Sequence, residues 1–381
     1  MNANGLLDWL HYSLTEGGAR GRKTILRFSD PGDYRQILKV LERMRPRRAG
    51  AGTGSIRRLG LIRGISCPSP PPSIARDWND KIRCEEDETI RIDALSRGSV
   101  SIDQGIPWGV RHIQAPEAWN RTTGLGVRIG VIDTGVDFRH PDLRYSVERG
   151  INLIYRTLPP QDDNGHGTHI AGTIAAANRM EGMIGVAPRA SVHPVKAFDY
   201  GGTAYVSDII LGLDWCVRNR MHIVNMSFGM QNRSRSLLQA VAAANQAGVV
   251  VVASSGNDGR SSGIDYPARY GNTIAVGATN ELGRVASFTN RSGLIDIYAP
   301  GDKIVSAWVG SKYREMSGTS MATSHVSGAI ALLLALKPGL TPQQIKEIIQ
   351  RSGKPLKGAK APRAAGELNV IRLLKAADIR K

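Results

Sequence analysis

The sequence predicts an α/β protein with a mainly parallel central sheet flanked by helices, preceded by a small α+β unit. Three observations point there. From about residue 127 onward, short β-branched runs alternate with segments of helical period, which is the signature of βαβ units. Ahead of them, residues 23–93 carry a separate strand and helix pattern with modest apolar content. The polar stretch SRGSVSIDQG joins the two parts.

In order along the chain, residues 1–22 read as an N-terminal extension. They lack a basic region followed by an apolar stretch and a small-residue cleavage site, so no secretory signal is visible. Residues 23–100 form the small unit: strand KTILRF, helix DYRQILKVLERM, a Gly/Arg break, strand IRRLGLIRGI, a proline cluster, helix SIARDWNDKIRC and strand TIRIDA. Residues 101–381 form the larger domain. Its predicted buried strands are Val127–Asp133, Ser191–Phe198, His222–Phe228, Val249–Ser254 and Thr273–Thr279, with helices between them. Two more helices close it, Met321–Leu336 and Pro342–Arg351, the second capped by Thr341 and stopped at Gly353.

Composition narrows the function. The 381 residues are 41% hydrophobic and 22% charged, which suits a globular chain with a substantial core and not a disordered one. No run approaches the roughly 18 apolar residues of a membrane span, so no membrane partner is expected. Fifty Lys and Arg against 33 Asp and Glu give a net charge of +17. The basic residues are dispersed apart from a knot at Arg43, Arg45, Arg47 and Arg48, and solubility accounts for them without a nucleic acid. Cys67, Cys84 and Cys216 show neither pairing nor CxxC spacing. With the lack of a visible leader, they point to a cytoplasmic location.

Chemistry is sought at the carboxyl ends of the predicted strands, where open parallel sheets bind ligands. Strand Val127–Ile132 ends in Asp133-Thr134-Gly135. Alone, such an aspartate caps a turn as readily as it acts on a substrate, and no second DTG or DSG supports an aspartic-protease pair. His166, in NGHGTHIAG, enters a helix between glycines that permit close approach, and imidazole suits proton transfer near neutral pH. A zinc reading of His166 and His169 lacks a carboxylate at helical spacing. Ser320, in MSGTSMA, opens an apolar helix. It reads either as a cap or as a hydroxyl placed where partial positive charge steadies an oxyanion. Asn257 follows strand Val249–Ala253, as a turn former or as an amide donor to that oxyanion.

Together VIDTGVDFRHPDL, NGHGTHIAGTIAA, NMSFG, SSGN and SGTSMA resemble the subtilisin-like serine proteases, the subtilases, over about Gln104 to Gly353. The resemblance implies their three-layer fold and endopeptidase activity on protein or peptide substrates. Ser320 would be the nucleophile, His166 the general base and then acid, and Asp133 the group that orients the imidazole. Asn257 and the Ser320 N–H would form the oxyanion hole. Gly202, Thr203 and Ala204 would form one edge of the substrate channel and Ser227, Phe228 and Gly229 the other, with substrate added as a strand between them. The resemblance also places Asp258 and Asp265 around the primary pocket, which predicts a tilt towards Lys or Arg before the cleaved bond; the alternative reading is two solvated loop aspartates.

Where the family's string continues with proline, this chain has Ser324, a change in the first helical turn that leaves Ser320 untouched. No cofactor is required for the chemistry. Subtilases often bind structural calcium, and Gln104 and Asp142 match ligand positions. Arg179 stands where an asparagine ligand is typical and argues against the ion here. Residues 23–100 resemble in arrangement a subtilase prodomain, an intramolecular inhibitor whose tail IDALSRGSVSID enters the active site. Self-cleavage is then expected between Ala94 and Asp103, with Arg97-Gly98 matching a basic preference. The competing reading is a subtilase-fold binding or regulatory protein with a silent site. Competent residues at every catalytic position oppose it.

Overall fold

The computed structural model of the protein describes residues 22–44, 56–69, 82–92, 95–99, 105–177, 182–261, 263–357 and 365–378. The expected extension 1–22 therefore lies almost entirely outside the described residues. The N-terminal unit is a four-stranded antiparallel sheet in the order β2-β3-β1-β4. Its strands are β1 (Lys23–Phe28), β2 (Arg57–Leu59), β3 (Gly64–Pro68) and β4 (Ile82–Glu86). Helix α1 (Pro31–Met44) places Tyr34 and Ile37 with Leu26, Phe28, Ile65, Cys67 and Ile82 in one small core.

Two expectations for this unit are corrected. The run IRRLGLIRGI is not one strand: a turn of 3-10 helix, Gly60–Ile62, divides β2 from β3. Residues 82–84, expected to end a helix, are strand, because Ile74, Trp78 and Ile82 share a four-residue spacing that mimics a helix while β1 offers an open edge. Residues 70–81 lie outside the described residues.

The larger domain holds a seven-stranded sheet in the order β14-β13-β12-β11-β7-β9-β8, parallel at every pairing. Its strands are β7 (Arg128–Asp133), β8 (Ile151–Asn152), β9 (Ser191–Lys196), β11 (Ile223–Met226), β12 (Val250–Ser254), β13 (Thr273–Thr279) and β14 (Ile297–Pro300). After the short helix α2 (Trp108–His112), the main helices are α3 (His166–Ala175), α4 (Val206–Arg218), α5 (Arg235–Gln246), α6 (Thr319–Leu336), α7 (Pro342–Ser352) and α8 (Val370–Asp378).

The two faces of the sheet bury different helices, which completes the expected three layers. Ile170 and Ile174 of α3, Ile330 and Leu333 of α6, Ile345 of α7 and Leu373 of α8 share one core. Ile209 and Leu213 of α4 and Leu237 and Val241 of α5 share the other. Helix α6 is long and apolar enough to cross a membrane, but 89% of it is buried inside the molecule, which makes it the core helix. Thr341 caps α7 in a capping box as expected. Gly353 ends that helix without a left-handed turn. Its Cβ would fall 2.8 Å from the Gly366 backbone, so close chain packing requires the glycine.

The N-terminal unit sits on the N-termini of α4 and α5. Asp87 Oδ1 accepts from Ser207 N at 2.9 Å, and Glu85 Oε2 accepts from Ser236 N at 2.9 Å and Ser236 Oγ at 2.8 Å. Both carboxylates meet the positive end of a helix dipole. Arg57 pairs with buried Asp208 on α4. From there the chain enters the larger domain: β5 (Thr89–Arg91) pairs with β10 (Thr203–Tyr205). Next, β6 (Leu95–Ser99) joins the hairpin of β15 (Ile304–Trp308) and β16 (Lys312–Ser317).

Candidate active site

Parallel pairing brings the ends of β7, β11 and β12 to one edge of the sheet, and the N-termini of α3 and α6 meet that edge. Asp133 ends β7 and is fully buried. Its Oδ1 and Oδ2 lie 2.8 and 3.0 Å from His166 Nδ1. His166 is the first residue of α3, and its buried Nε2 has no hydrogen-bond partner among the described residues. Ser320 lies in the first turn of α6, where backbone N–H groups concentrate partial positive charge. Its Oγ donates to Ser227 O at 2.9 Å. The carboxylate and imidazole are thus joined, while the serine hydroxyl rests on the channel wall, a loose arrangement common before substrate engages.

Asn257 follows β12. Its Oδ1 accepts from Thr319 N at 2.8 Å and Thr319 Oγ1 at 2.9 Å, which fixes the amide plane beside Ser320 and turns Nδ2 away from Thr319. Ser324 lies within α6 and its Oγ donates to Met321 O at 2.7 Å, so the hydroxyl is satisfied where proline was expected.

The channel edges are occupied by the chain's own segment. Thr203 pairs with Arg91 and Ala204 with Ile90, while Ile92 N donates to Gly202 O at 3.0 Å. On the opposite side Arg91 bridges Gly229 in antiparallel fashion. Residues 89–92 are therefore a strand added between the two expected edges. Phe228 is buried and faces away into the core, where it stacks on Phe198 with ring centroids 4.9 Å apart.

Asp265 and Asp258, placed by resemblance around the primary pocket, share one partner in the structure. Both pair with Arg260, Asp258 Oδ2 at 2.9 Å and Asp265 through its Oδ1. Arg260 escaped the sequence reading because only the folded loop brings it onto both carboxylates.

Asp162 was missed as well. Its Oδ1 accepts from Thr134 Oγ1 at 2.8 Å and from Asn164 N and Gly165 N at 2.9 Å. Its Oδ2 accepts from Thr168 N at 2.9 Å and Thr168 Oγ1 at 2.6 Å. Because the N-cap of α3 is Gly165, which has no side chain to cap with, Asp162 supplies the cap for the helix that carries His166. Its position four residues ahead of His166 in a polar run was the available signal.

Among the described residues, His169 belongs to no group of three or more His, Cys, Asp or Glu side chains that could hold a metal ion. Its Nε2 lies 3.0 Å from Ile304 O, and burial pushes its pKa down to about 3. Of the calcium positions, Gln104 and residues 178–181 lie outside the described residues. Asp142 is buried, with Oδ2 accepting from Met183 N at 3.0 Å and Tyr313 Oη at 2.8 Å. Its Oδ1 has no hydrogen-bond partner among the described residues, which is compatible with a cation ligand.

A parallel α/β sheet with a carboxylate–imidazole pair and a helix-opening serine at its carboxyl edge defines the architecture of a serine hydrolase. The subtilase family pattern, peptidase S8, matches residues 124–367. Subtilisin BL of Lederbergia lenta is 45% identical over 254 residues, covering 66% of this chain and 93% of that protein. M-protease of Shouchella clausii (strain KSM-K16) is 42% identical over 288 residues, 75% of each chain, and subtilisin E of Bacillus subtilis (strain 168) is 43% identical over 252 residues, 65% of this chain and 66% of that one. The chain belongs to the subtilase family and is a serine-type endopeptidase. These matches overturn the expected cytoplasmic location: the relatives are secreted extracellular subtilisins.

Proposed function

We propose that the chain hydrolyses peptide bonds through Ser320, His166 and Asp133. The carrying observation is the two-oxygen contact of Asp133 on His166 Nδ1, which fixes the ring with its buried Nε2 directed elsewhere. In this reading His166 Nε2 takes the Ser320 proton as Oγ attacks the substrate carbonyl. The tetrahedral oxyanion is met by the Ser320 N–H and Asn257 Nδ2, and His166 returns the proton to the leaving amine. Water then resolves the acyl-enzyme by the same route. Asp133 holds the tautomer and favours the imidazolium; removing its charge costs on the order of 10⁴ in kcat in the related triad chemistry. No metal takes part in these steps. Asp142 is the described group that would help hold a structural calcium, which would act on stability only.

Residues 23–92 act in this reading as an intramolecular inhibitor, supported by β5 lying in the channel. In this reading the bond cut lies between Ile92 and Leu95, at the N-terminal end of the expected range, supported by Ile92 sitting on Gly202 and Leu95 pairing with Ser317, three residues before Ser320. Arg97 is already past the site, paired with Glu315. The test is purification of wild type and Ser320→Ala from a protease-deficient host. Wild type is expected to yield a new N-terminus at Asp93, Ala94 or Leu95 and to cleave casein, while Ser320→Ala stays intact and inert. A processed Ser320→Ala protein refutes self-cleavage.

A further inference from the structure

The primary pocket of this chain carries its own counter-ion. Asp265 is buried against Gly229 and Gly256: a Cβ on Gly229 would fall 2.7 Å from the Asp265 Cβ, and one on Gly256 would fall 2.3 Å from its Oδ2. Both glycines thus leave room for this side chain, and Gly229 also bridges Arg91 of the added strand. Asp265 N donates to Ser255 O at 3.0 Å, which ties the residue to the wall leading to Asn257. At the rim, Asp258 N and Arg260 N both donate to Asn290 Oδ1 at 3.0 Å, so one amide holds the loop in register. Arg260 spans the gap, its NH2 group on Asp258 at the rim and on Asp265 at the floor. Its side chain is only 34% exposed, against 49% for Asp258.

We propose that Arg260 is the specificity-determining residue of the primary pocket: by occupying Asp258 and Asp265 together it cancels the attraction those carboxylates would exert on a Lys or Arg of the substrate. The inference rests on the peptidase reading given above. A guanidinium entering the pocket must displace one already seated there, at the same planar carboxylate geometry. A neutral side chain meets no such competitor.

The processing site proposed above is consistent with this. The residues that can precede a bond cut between Ile92 and Leu95 are Ile92, Asp93 and Ala94, none of them basic. An enzyme selecting Arg or Lys would place Arg91 or Arg97 at the cut, and the register holds both away from it.

The test uses full-length protein allowed to process, assayed on peptides identical except for Arg or Phe before the cleaved bond. Wild type is expected to cleave the Arg peptide no better than the Phe peptide. Arg260→Ala should raise the Arg/Phe ratio of kcat/KM about tenfold, mainly through KM, because the uncovered carboxylates act on the bound side chain. Arg260→Ala combined with Asp265→Asn should bring the ratio back towards wild type. A ratio changed less than threefold by Arg260→Ala, or a wild type already preferring Arg by tenfold, overturns the inference while the peptidase reading stands. Loss of all hydrolysis together with failure of a fluorophosphonate to label wild type overturns both.

Discussion

Replacing Asp162 by alanine removes the acceptor for five hydrogen bonds at the start of the helix that carries His166. Two hydroxyl donors, Thr134 and Thr168, can turn elsewhere. The N–H groups of Gly165 and Thr168 cannot, and both are buried. A buried donor left unsatisfied costs about 1–3 kcal/mol, and loss of the charge at the helix start adds about 0.5 kcal/mol or more. The expected destabilisation is therefore about 4 kcal/mol, measured as the change in urea unfolding free energy in a Ser320→Ala background that prevents autolysis. Asp162→Asn keeps one carbonyl acceptor and should lose about half as much. In the active protein, Asp162→Ala should lower kcat about tenfold or more with KM little changed, since the substrate channel is built from other segments. A loss below about 1 kcal/mol with unaltered kcat would refute the assignment of Asp162 as the cap that positions His166.

Gly165→Ala should also be severe, because at φ +111° its Cβ would fall 2.2 Å from the Trp308 ring; a loss of at least about 3 kcal/mol is expected, and a urea midpoint matching wild type contradicts it. Burial pushes the pKa of His169 down to about 3 and that of His325 to about 4, both from 6.5. Between those values and 6.5 the unfolded chain binds more protons, so stability is intact above pH 6.5 and falls as pH drops, by up to about 1.4 kcal/mol per pH unit for each histidine. Urea midpoints of the Ser320→Ala protein from pH 7 to 4 should show this fall, and His325→Gln should flatten it. At the junction of the two units, Glu85→Ala removes the acceptor for Ser236 N and Oγ in the first turn of α5, and the processed protein should release its N-terminal unit at lower urea than wild type; equal retention on gel filtration would show that the carboxylate is dispensable.

The central strands were legible because burial on both faces makes them continuous apolar runs, and β13 has the residues predicted for it, Thr273–Thr279. Asp133, His166, Asn257 and Ser320 were legible because each follows a strand end or opens a helix, a position that sequence marks. The short strands β8 and β14 escaped, since two to four residues carry too little periodicity. Asp162 and Arg260 escaped for a different reason. Their roles arise from partners that only folding brings near: backbone N–H groups of a turn for Asp162, and the carboxylates of Asp258 and Asp265 for Arg260. The expected basic preference rested on the charges of Asp258 and Asp265 along the sequence, where the Arg260 guanidinium that pairs with both is not visible.

The most direct measurement is fluorophosphonate labelling of processed wild type followed by peptide mapping. The account predicts a single adduct on Ser320, abolished in Ser320→Ala and strongly slowed in His166→Ala, where no base remains to take the hydroxyl proton. An adduct elsewhere, or labelling at the wild-type rate in His166→Ala, would contradict it.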